Sequence, residues 1–368
     1  MRILGVSSPL ARKLRGLVLM AVAWFSAPPQ AAVVLQYHHV SDTTPAATSV
    51  TPERFREHMD YLAEWGFKVV PLEQLVDQLR QGKALPDKAV AITFDDAYDS
   101  VYHTAFPLLK KRGWPFTVFV NTAPLDANKN GFVTWAQLRE MAKAGASIAN
   151  HSTEHNHLQR LKPGESCKQW RKRIRAEVMD AEQRIQEETG QSHRILAYPY
   201  GEYDHRVTAL LEELNFAAFG QQSGALGSLN DLQTLPRFPF GGPYGTLEDF
   251  ATKVNTKALS LESAQLYADW SAEQPLTDLV VTEGDRPVLK LTLAREDLAR
   301  GVNCFASGQG AIEVRVKGRV LLVRADEPLS PGRTRYNCTA ASGEPGRFHW
   351  FSQQWLVTGP NGEWQHEQ

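Results

Sequence analysis

Apolar and polar positions along the chain fall into two textures. The stretch "AVVLQYHHV" is a β-branched apolar run that ends in polar residues, which predicts a buried strand. Thr51, with Glu53 close behind and Pro52 early, then predicts a helix start. Phe55, Met59 and Leu62 recur at helical spacing and Gly66 ends the element. Onward, "FKVVPL", "AVAITFDD", "PFTVFVNT", "ASIANH" and "RILAYPY" read as strands. Between and after them, "LEQLVDQLRQG", "VYHTAFPLLKKRG", "WAQLREMAKAG", a charge-rich amphipathic stretch over about Lys168 to Thr189, and "DHRVTALLEELN" read as helices. Short apolar strands alternating with helices imply parallel strands covered by helices. With this many repeats the expected α/β architecture is a closed or nearly closed (β/α) barrel, whose chemistry sits at the carboxyl ends of the strands.

From about Leu259 the texture changes. "DLVVTEGD", "PVLKLTLA", "AIEVRVKGRVLLVRAD", "RTRYNCTA" and "RFHWFSQQWLVTG" are period-two runs separated by turn residues, which predicts an antiparallel sandwich. The expected division is a leader over residues 1–32, a barrel over 33–258 and a β-rich accessory domain over 259–368.

The leader rests on its own pattern. Arg12, Lys13 and Arg15 precede an apolar stretch from Gly16 to Phe25 and then "SAPPQAA", the layout of a secretory signal peptide whose apolar part is too short to span a bilayer. Cleavage after Ala32 would remove four basic residues and no acidic one, leaving 36 basic against 41 acidic, net −5. A mildly acidic chain without a basic run has no electrostatic case for nucleic acid, and no later segment reads as transmembrane. The expectation is an exported protein, periplasmic or secreted, without stable membrane insertion. Of its three cysteines, Cys304 and Cys338 share one β-rich stretch and are the expected disulfide, with Cys167 the odd one out.

Candidate chemistry gathers at the strand ends. Asp95 and Asp96 close the strand "AVAITF", where strict alternation relaxes and two neighbouring carboxylates can converge on one pocket. Two bare carboxylates repel, so one must bind a proton or a cation. In "ANHSTEHNH", His151 and His155 stand four apart; a helical turn there would put both on one face, so that Asp96, His151 and His155 form three metal ligands. Three protein ligands leave an open position, the catalytic form of a zinc site.

"TFDD", "HSTEH" and "AYPYGEYD", each after a strand and in that order, resemble the successive motifs of NodB-type polysaccharide deacetylases. "LQYHHV" and "TLPRFPF" around Arg237 narrow the likeness to the exported poly-β-1,6-N-acetylglucosamine deacetylase branch. The resemblance covers about Val33 to Asp249 and implies a distorted (β/α) barrel. It also implies hydrolysis of N-acetyl groups from a linear N-acetylglucosamine polymer, as in a biofilm or cell-wall matrix, with a divalent metal, zinc in the first instance. On this basis Asp96, His151 and His155 hold the metal, Asp95 is the general base, and a backbone N–H of the "YPYG" turn at Tyr200 holds the oxyanion. The usual Leu-x-His acid is missing, and "YHHV" points to His38 in its place. Many relatives carry an arginine two residues before the third-motif proline, a position held here by Ala197. Arg237 could reach the base from a later strand end. Rival readings are an O-deacetylase or peptidoglycan deacetylase on the same frame, or a noncatalytic glycan-binding protein.

Blander features remain. "DANKNGFVTWAQ" echoes a calcium loop through Asp126, Asn128, Asn130 and Gly131, but Gln137 replaces the bidentate glutamate. His157 reads as a solvated loop residue. Trp350 and Trp355 could stack on sugar rings, though buried aromatics are the commoner use.

Overall fold

The computed structural model describes residues 32–227, 229 and 231–364; the leader, apart from Ala32, lies outside them. Eight parallel strands form the first sheet. In spatial order they run Phe238–Pro239, Ala32–Tyr37, Ala89–Phe94, Phe116–Val120, Ala146–Asn150, Ile195–Ala197 and Ala217–Phe219, with Lys68–Val69 as a branch beside Ala89–Phe94. This is the expected barrel in distorted form, because the gap between its edge strands is spanned by one stretch of chain. Leu235 bridges to Phe219 on one side, and three residues later Phe238 pairs with Leu35 on the other. Arg237 rides on that closing stretch.

Alternation sorts each strand's side chains. Leu35, Val90, Ile92, Val118 and Ile148 join Phe55, Met59, Leu62, Leu109, Leu138 and Met141 of the covering helices in one apolar cluster. Ala32, Val34, Ala89, Ala91, Phe119, Ala149, Ala197 and Phe219 form a second, closed off by Leu72, Leu75, Val76 and Leu79 of the helix Leu72–Arg80. Small alanines keep this second face narrow. Toward the carboxyl ends the same face turns polar, from Val34 to Gln36 and from Ala91 through Thr93 to Asp95, each of these polar side chains being buried.

The β-rich part holds a six-stranded and a four-stranded sheet. Leu289, Leu291, Leu321 and Val323 of the smaller sheet share a cluster with Cys304, Tyr336, Cys338 and Trp355 of the larger, so two faces pack as a sandwich. Pairing departs from the antiparallel expectation at one place: the eleven-residue strand Phe348–Thr358 carries both Lys257–Ala258 and Val280–Thr282 alongside it in parallel. Leu261–Tyr267, too polar to read as a strand, pairs as the edge of the four-stranded sheet. The apolar cluster of the sandwich also takes in Trp170, Ile174, Val207 and Leu210 from helices Cys167–Thr189 and His205–Glu213 of the barrel. Across the same junction Arg347 pairs with Asp87 at 2.8 Å. No described helix is long and apolar enough to cross a membrane.

Cys304 and Cys338 stand directly opposite each other on neighbouring strands and form a disulfide, while Cys167 is free and exposed. The bridge closes a loop of sequence separation 34, for which chain-entropy arguments give about 3–4 kcal/mol. Cys304→Ser with Cys338→Ser should therefore lower unfolding stability by roughly that amount, measured by denaturant titration under oxidising conditions. An unchanged midpoint would show that the bridge contributes nothing.

Candidate active site

Asp95 continues the inward face of its strand and is fully buried. Its amide still donates to the Tyr37 carbonyl at 2.8 Å, so the pairing with Ala32–Tyr37 holds to the strand's last residue. Arg237 grips the carboxylate at both ends, Nη1 to Oδ1 at 2.7 Å and Nη2 to Oδ2 at 2.8 Å. Gln36 Nε2 donates to Oδ2 at 2.7 Å. The guanidinium is itself fixed: Nε donates to the Gly220 carbonyl at 3.0 Å and Nη1 to Thr93 Oγ1 at 3.2 Å. Burial alone would raise the Asp95 pKa, but the charge of Arg237, followed by that of His151, outweighs it and holds the carboxyl below its ordinary range. Asp95 is thus a fixed anion.

Alternation would send Asp96 outward. Instead Asp96 and Ala97 both take left-handed backbone, at φ 70° and 58°, and the Asp96 carboxylate turns back toward the next strand ends. His151 Nε2 and His155 Nε2 each lie 3.3 Å from Asp96 Oδ1. One ligand atom from each of the three residues falls within 4.8 Å of the others. The helical turn expected between the two histidines does not form, since residues 151–157 are loop. Left-handed backbone at Ser152 and His155, φ 66° and 57°, brings the rings together instead. Their centroids stand 4.8 Å apart.

The tautomers fit a cation. His151 Nδ1 contacts the Ala197 carbonyl at 2.8 Å; a carbonyl only accepts, so Nδ1 carries a proton and Nε2 is the nitrogen turned to Asp96. Burial opposes protonation of this ring, but the hydrogen bond to Asp96 and the charges of Asp95 and Asp96 raise its pKa, so a metal would take the place of a proton on Nε2. Burial, then the neighbouring His151, lowers the His155 pKa to about 4, which keeps that ring neutral. Two imidazole Nε2 atoms facing a carboxylate oxygen form a donor set suited to a divalent metal.

The third loop supplies a wall. Tyr200 is left-handed at φ 59°. Its ring stacks on His157 at 3.9 Å and meets His155 edge-on at 4.6 Å. His157 is therefore not a solvated residue: Nδ1 bonds to buried Glu202 at 2.7 Å, and Gln159 Nε2 donates to the same carboxylate oxygen at 2.5 Å. At the first strand end the doubled histidines divide. His38 Nε2 lies 4.0 Å from Asp95 Oδ2, whereas His39 stacks on Tyr98 at 3.7 Å.

The other sequence candidates lie apart. Asp126 ends the helix Thr122–Asp126 and accepts from Trp135 Nε1 at 2.8 Å and Arg184 Nε at 2.9 Å, so its carboxylate anchors two side chains rather than opening a calcium loop. Trp355 is fully buried against Tyr336 and cannot meet a sugar. Trp350 packs edge-on to Phe238 at 5.3 Å and borders a cavity of about 270 Å³ at the junction of barrel and sandwich, which no candidate site residue lines. Sequence reasoning missed Gln36, Thr93, Gly220 and Glu202. Gln36 and Thr93 carried one signal, as polar residues on the inward face of apolar strands; Glu202 lay in the quoted third motif without a role.

Residues 82–219 match the family described as polysaccharide deacetylase. The poly-β-1,6-N-acetyl-D-glucosamine N-deacetylase of Escherichia coli K12 is 26% identical over 265 residues, covering 62% of this chain and 39% of that protein. The chain thus spans about two-fifths of the length of this relative. Among solved structures, IcaB from Ammonifex degensii superposes with a TM-score of 0.52 at 26% identity, over 59% of this chain and 94% of that one. The Streptococcus pyogenes deacetylase PplD, solved with acetate, shares the fold at a TM-score of 0.55 and 23% identity, over 61% of this chain and 99% of its own. Over residues 82–219 the family match and the parallel barrel agree on a polysaccharide deacetylase domain of the NodB type.

Proposed function

We propose that the protein is an exported, metal-dependent amide hydrolase that removes N-acetyl groups from an N-acetylglucosamine polymer and releases acetate. The observation that carries this reading is the pairing of two unlike aspartates: Asp96 joined by two histidine nitrogens, and Asp95 beside it locked by an arginine. The polymer comes from the names of the relatives, poly-β-1,6-N-acetyl-D-glucosamine first among them. Export rests on the leader pattern.

Asp96, His151 and His155 would hold the metal, zinc by donor set. Bound there, it would acidify a water and polarise the acetamide carbonyl. Asp95 takes up the proton released from the attacking water; its carboxylate is kept ionised and aimed by Arg237 and Gln36. The turn at Tyr200, braced by His157 and Glu202, sets a backbone N–H toward the oxyanion. His38, partly exposed and close to Asp95, supplies the proton that lets the amine depart.

The noncatalytic reading leaned on Ala197 in place of the third-motif arginine. Arg237 removes that support, since it makes the bidentate contact to the base from the closing stretch of the barrel.

Four substitutions test the assignment. Asp96→Asn should lose zinc and Asp95→Asn should keep it, measured as metal content after dialysis, while each drops acetate release by about 10²–10⁴-fold. Zinc retained in full by Asp96→Asn sinks the metal assignment. Arg237→Ala leaves a buried carboxylate unpaired, so stability should fall by about 3–5 kcal/mol along with turnover. Arg237→Lys, a point charge without the fork, should restore stability more than turnover. Acetate release from β-1,6 and β-1,4 N-acetylglucosamine oligomers, by protein stripped of metal and resupplied with zinc, distinguishes the glycans.

A further inference from the structure

A second polar cavity, of about 200 Å³, lies where the rim of the barrel meets the six-stranded sheet, walled by Gln222, Ser307, Arg333, Thr334, Arg335 and Gln354. Arg335 and Gln354 are direct cross-strand neighbours on Gly332–Ala341 and Phe348–Thr358. Most of this wall is unsatisfied. Gln354 is 1% exposed, and both its Oε1 and its Nε2 are buried without a hydrogen-bond partner. Thr334 Oγ1, Gln222 Oε1 and Arg335 Nε are in the same condition. Gln222 Nε2 donates to the Thr234 carbonyl at 2.7 Å, which fixes its free oxygen as an acceptor.

Water could satisfy the amides and the hydroxyl. It leaves the charge of half-buried Arg335 without a counterion. Among the described residues no carboxylate lies within ion-pair distance of this guanidinium. Burial lowers its pKa, opposed only by Tyr244. Lys253, a buried cation nearby, is already taken by Asp249 at 2.6 Å, and Arg335 depresses the Lys253 pKa further. Arg335 is half-buried, with its Nε enclosed, and a cation partly withdrawn from water gains from a counterion. The cavity therefore has an excess of positive charge, amide and hydroxyl donors, and room for a few heavy atoms.

We propose that this cavity binds a small oxyanion, of the carboxylate, phosphate or sulfate class, held by Arg335 with the Gln354 amide and the Thr334 hydroxyl. Gln222 would accept from a protonated oxygen of the ligand or from a water beside it. The site contains none of the metal ligands and does not depend on the deacetylase reading. It does adjoin the catalytic frame, since the Gln222 carbonyl accepts from the Arg237 amide at 3.1 Å. A Cβ at Gly220, whose carbonyl anchors Arg237, would fall 2.0 Å from Gln222 Oε1, so glycine there leaves space for this wall.

The test is thermal unfolding of the full chain at constant ionic strength, with chloride exchanged for inorganic phosphate, sulfate or acetate. At least one anion should raise Tm by about 4 °C at roughly 100 times its dissociation constant. Arg335→Gln should abolish that rise. Which anion acts separates a tetrahedral ligand from a carboxylate such as released acetate. An equal rise in wild type and Arg335→Gln places the anion elsewhere, on a metal for instance, and overturns the proposal. No rise with any of the three leaves water as the occupant and overturns it too. Should Arg335→Gln fail to fold, Gln354→Leu takes its place, and an undiminished anion response in that variant counts against the site. Turnover is not the readout, so loss of this proposal leaves the deacetylase reading standing, and the reverse.

Discussion

The fully buried ion pair of Arg237 and Asp95 is the constraint on which the rest of the barrel's open end depends. Arg237 sits on the stretch that closes the barrel, between a bridge to Phe219 and a pairing with Leu35. Its guanidinium reaches across to Asp95 and Thr93 on one strand and to the carbonyl of Gly220 at the end of another. A pair excluded from water gains from Coulomb attraction only when its remaining hydrogen-bonding capacity is met. Here Gln36, Thr93 and Gly220 meet much of it, and each comes from a different strand or strand end. The pair therefore fixes register and closure together, and it does so at the carboxyl ends where the chemistry lies.

Around that fixed anion the backbone departs from ordinary geometry. Asp96, Ala97, Ser152, His155 and Tyr200 all take positive φ, and they fall in three loops that follow three strands. Left-handed backbone costs a non-glycine residue free energy that surrounding structure must offset. The compensation is visible nearby. The Asn150 side chain accepts from the Ser152 amide at 2.8 Å, Ser152 Oγ from the His155 amide at 3.0 Å, and Glu202 braces the His157 ring on which Tyr200 stacks. Strain and support are distributed so that side chains adjacent in sequence serve different purposes.

This explains what could be read from the chain and what could not. The barrel was legible because its strands are short apolar runs separated by amphipathic helices, and the aspartate pair was legible because two carboxylates closing such a run need a reason. His151 and His155 were found by spacing, yet through the wrong local structure: the i, i+4 rule presumes a helix, and a loop with two left-handed residues reaches the same convergence. Arg237 could be nominated only as a strand-end arginine, since its grip on Asp95 spans 142 positions and exists only once the barrel closes. Gln36 stood out only as a polar residue inside an apolar strand, and Glu202 only as part of a motif, and neither pattern says what the side chain holds. The parallel strands beside Phe348–Thr358 were hidden for the same reason, because pairing direction is set by where the chain returns rather than by periodicity.

The two aspartates finally differ in what they lack. Asp95 has its countercharge in the protein and needs nothing further to remain ionised. Asp96 has no arginine or lysine within ion-pair distance among the described residues; its close partners are two imidazoles. One of these is held at Nδ1 by a backbone carbonyl so that Nε2 faces the carboxylate, and the two aspartates raise its pKa. A buried carboxylate oxygen and two imidazole nitrogens converging on one point call for something positive between them, a proton or a metal ion. Adjacent residues thus carry opposite electrostatic instructions. One carboxylate is neutralised from within, and the other is left open to a cation from solution, which is the asymmetry that a paired metal ligand and base require.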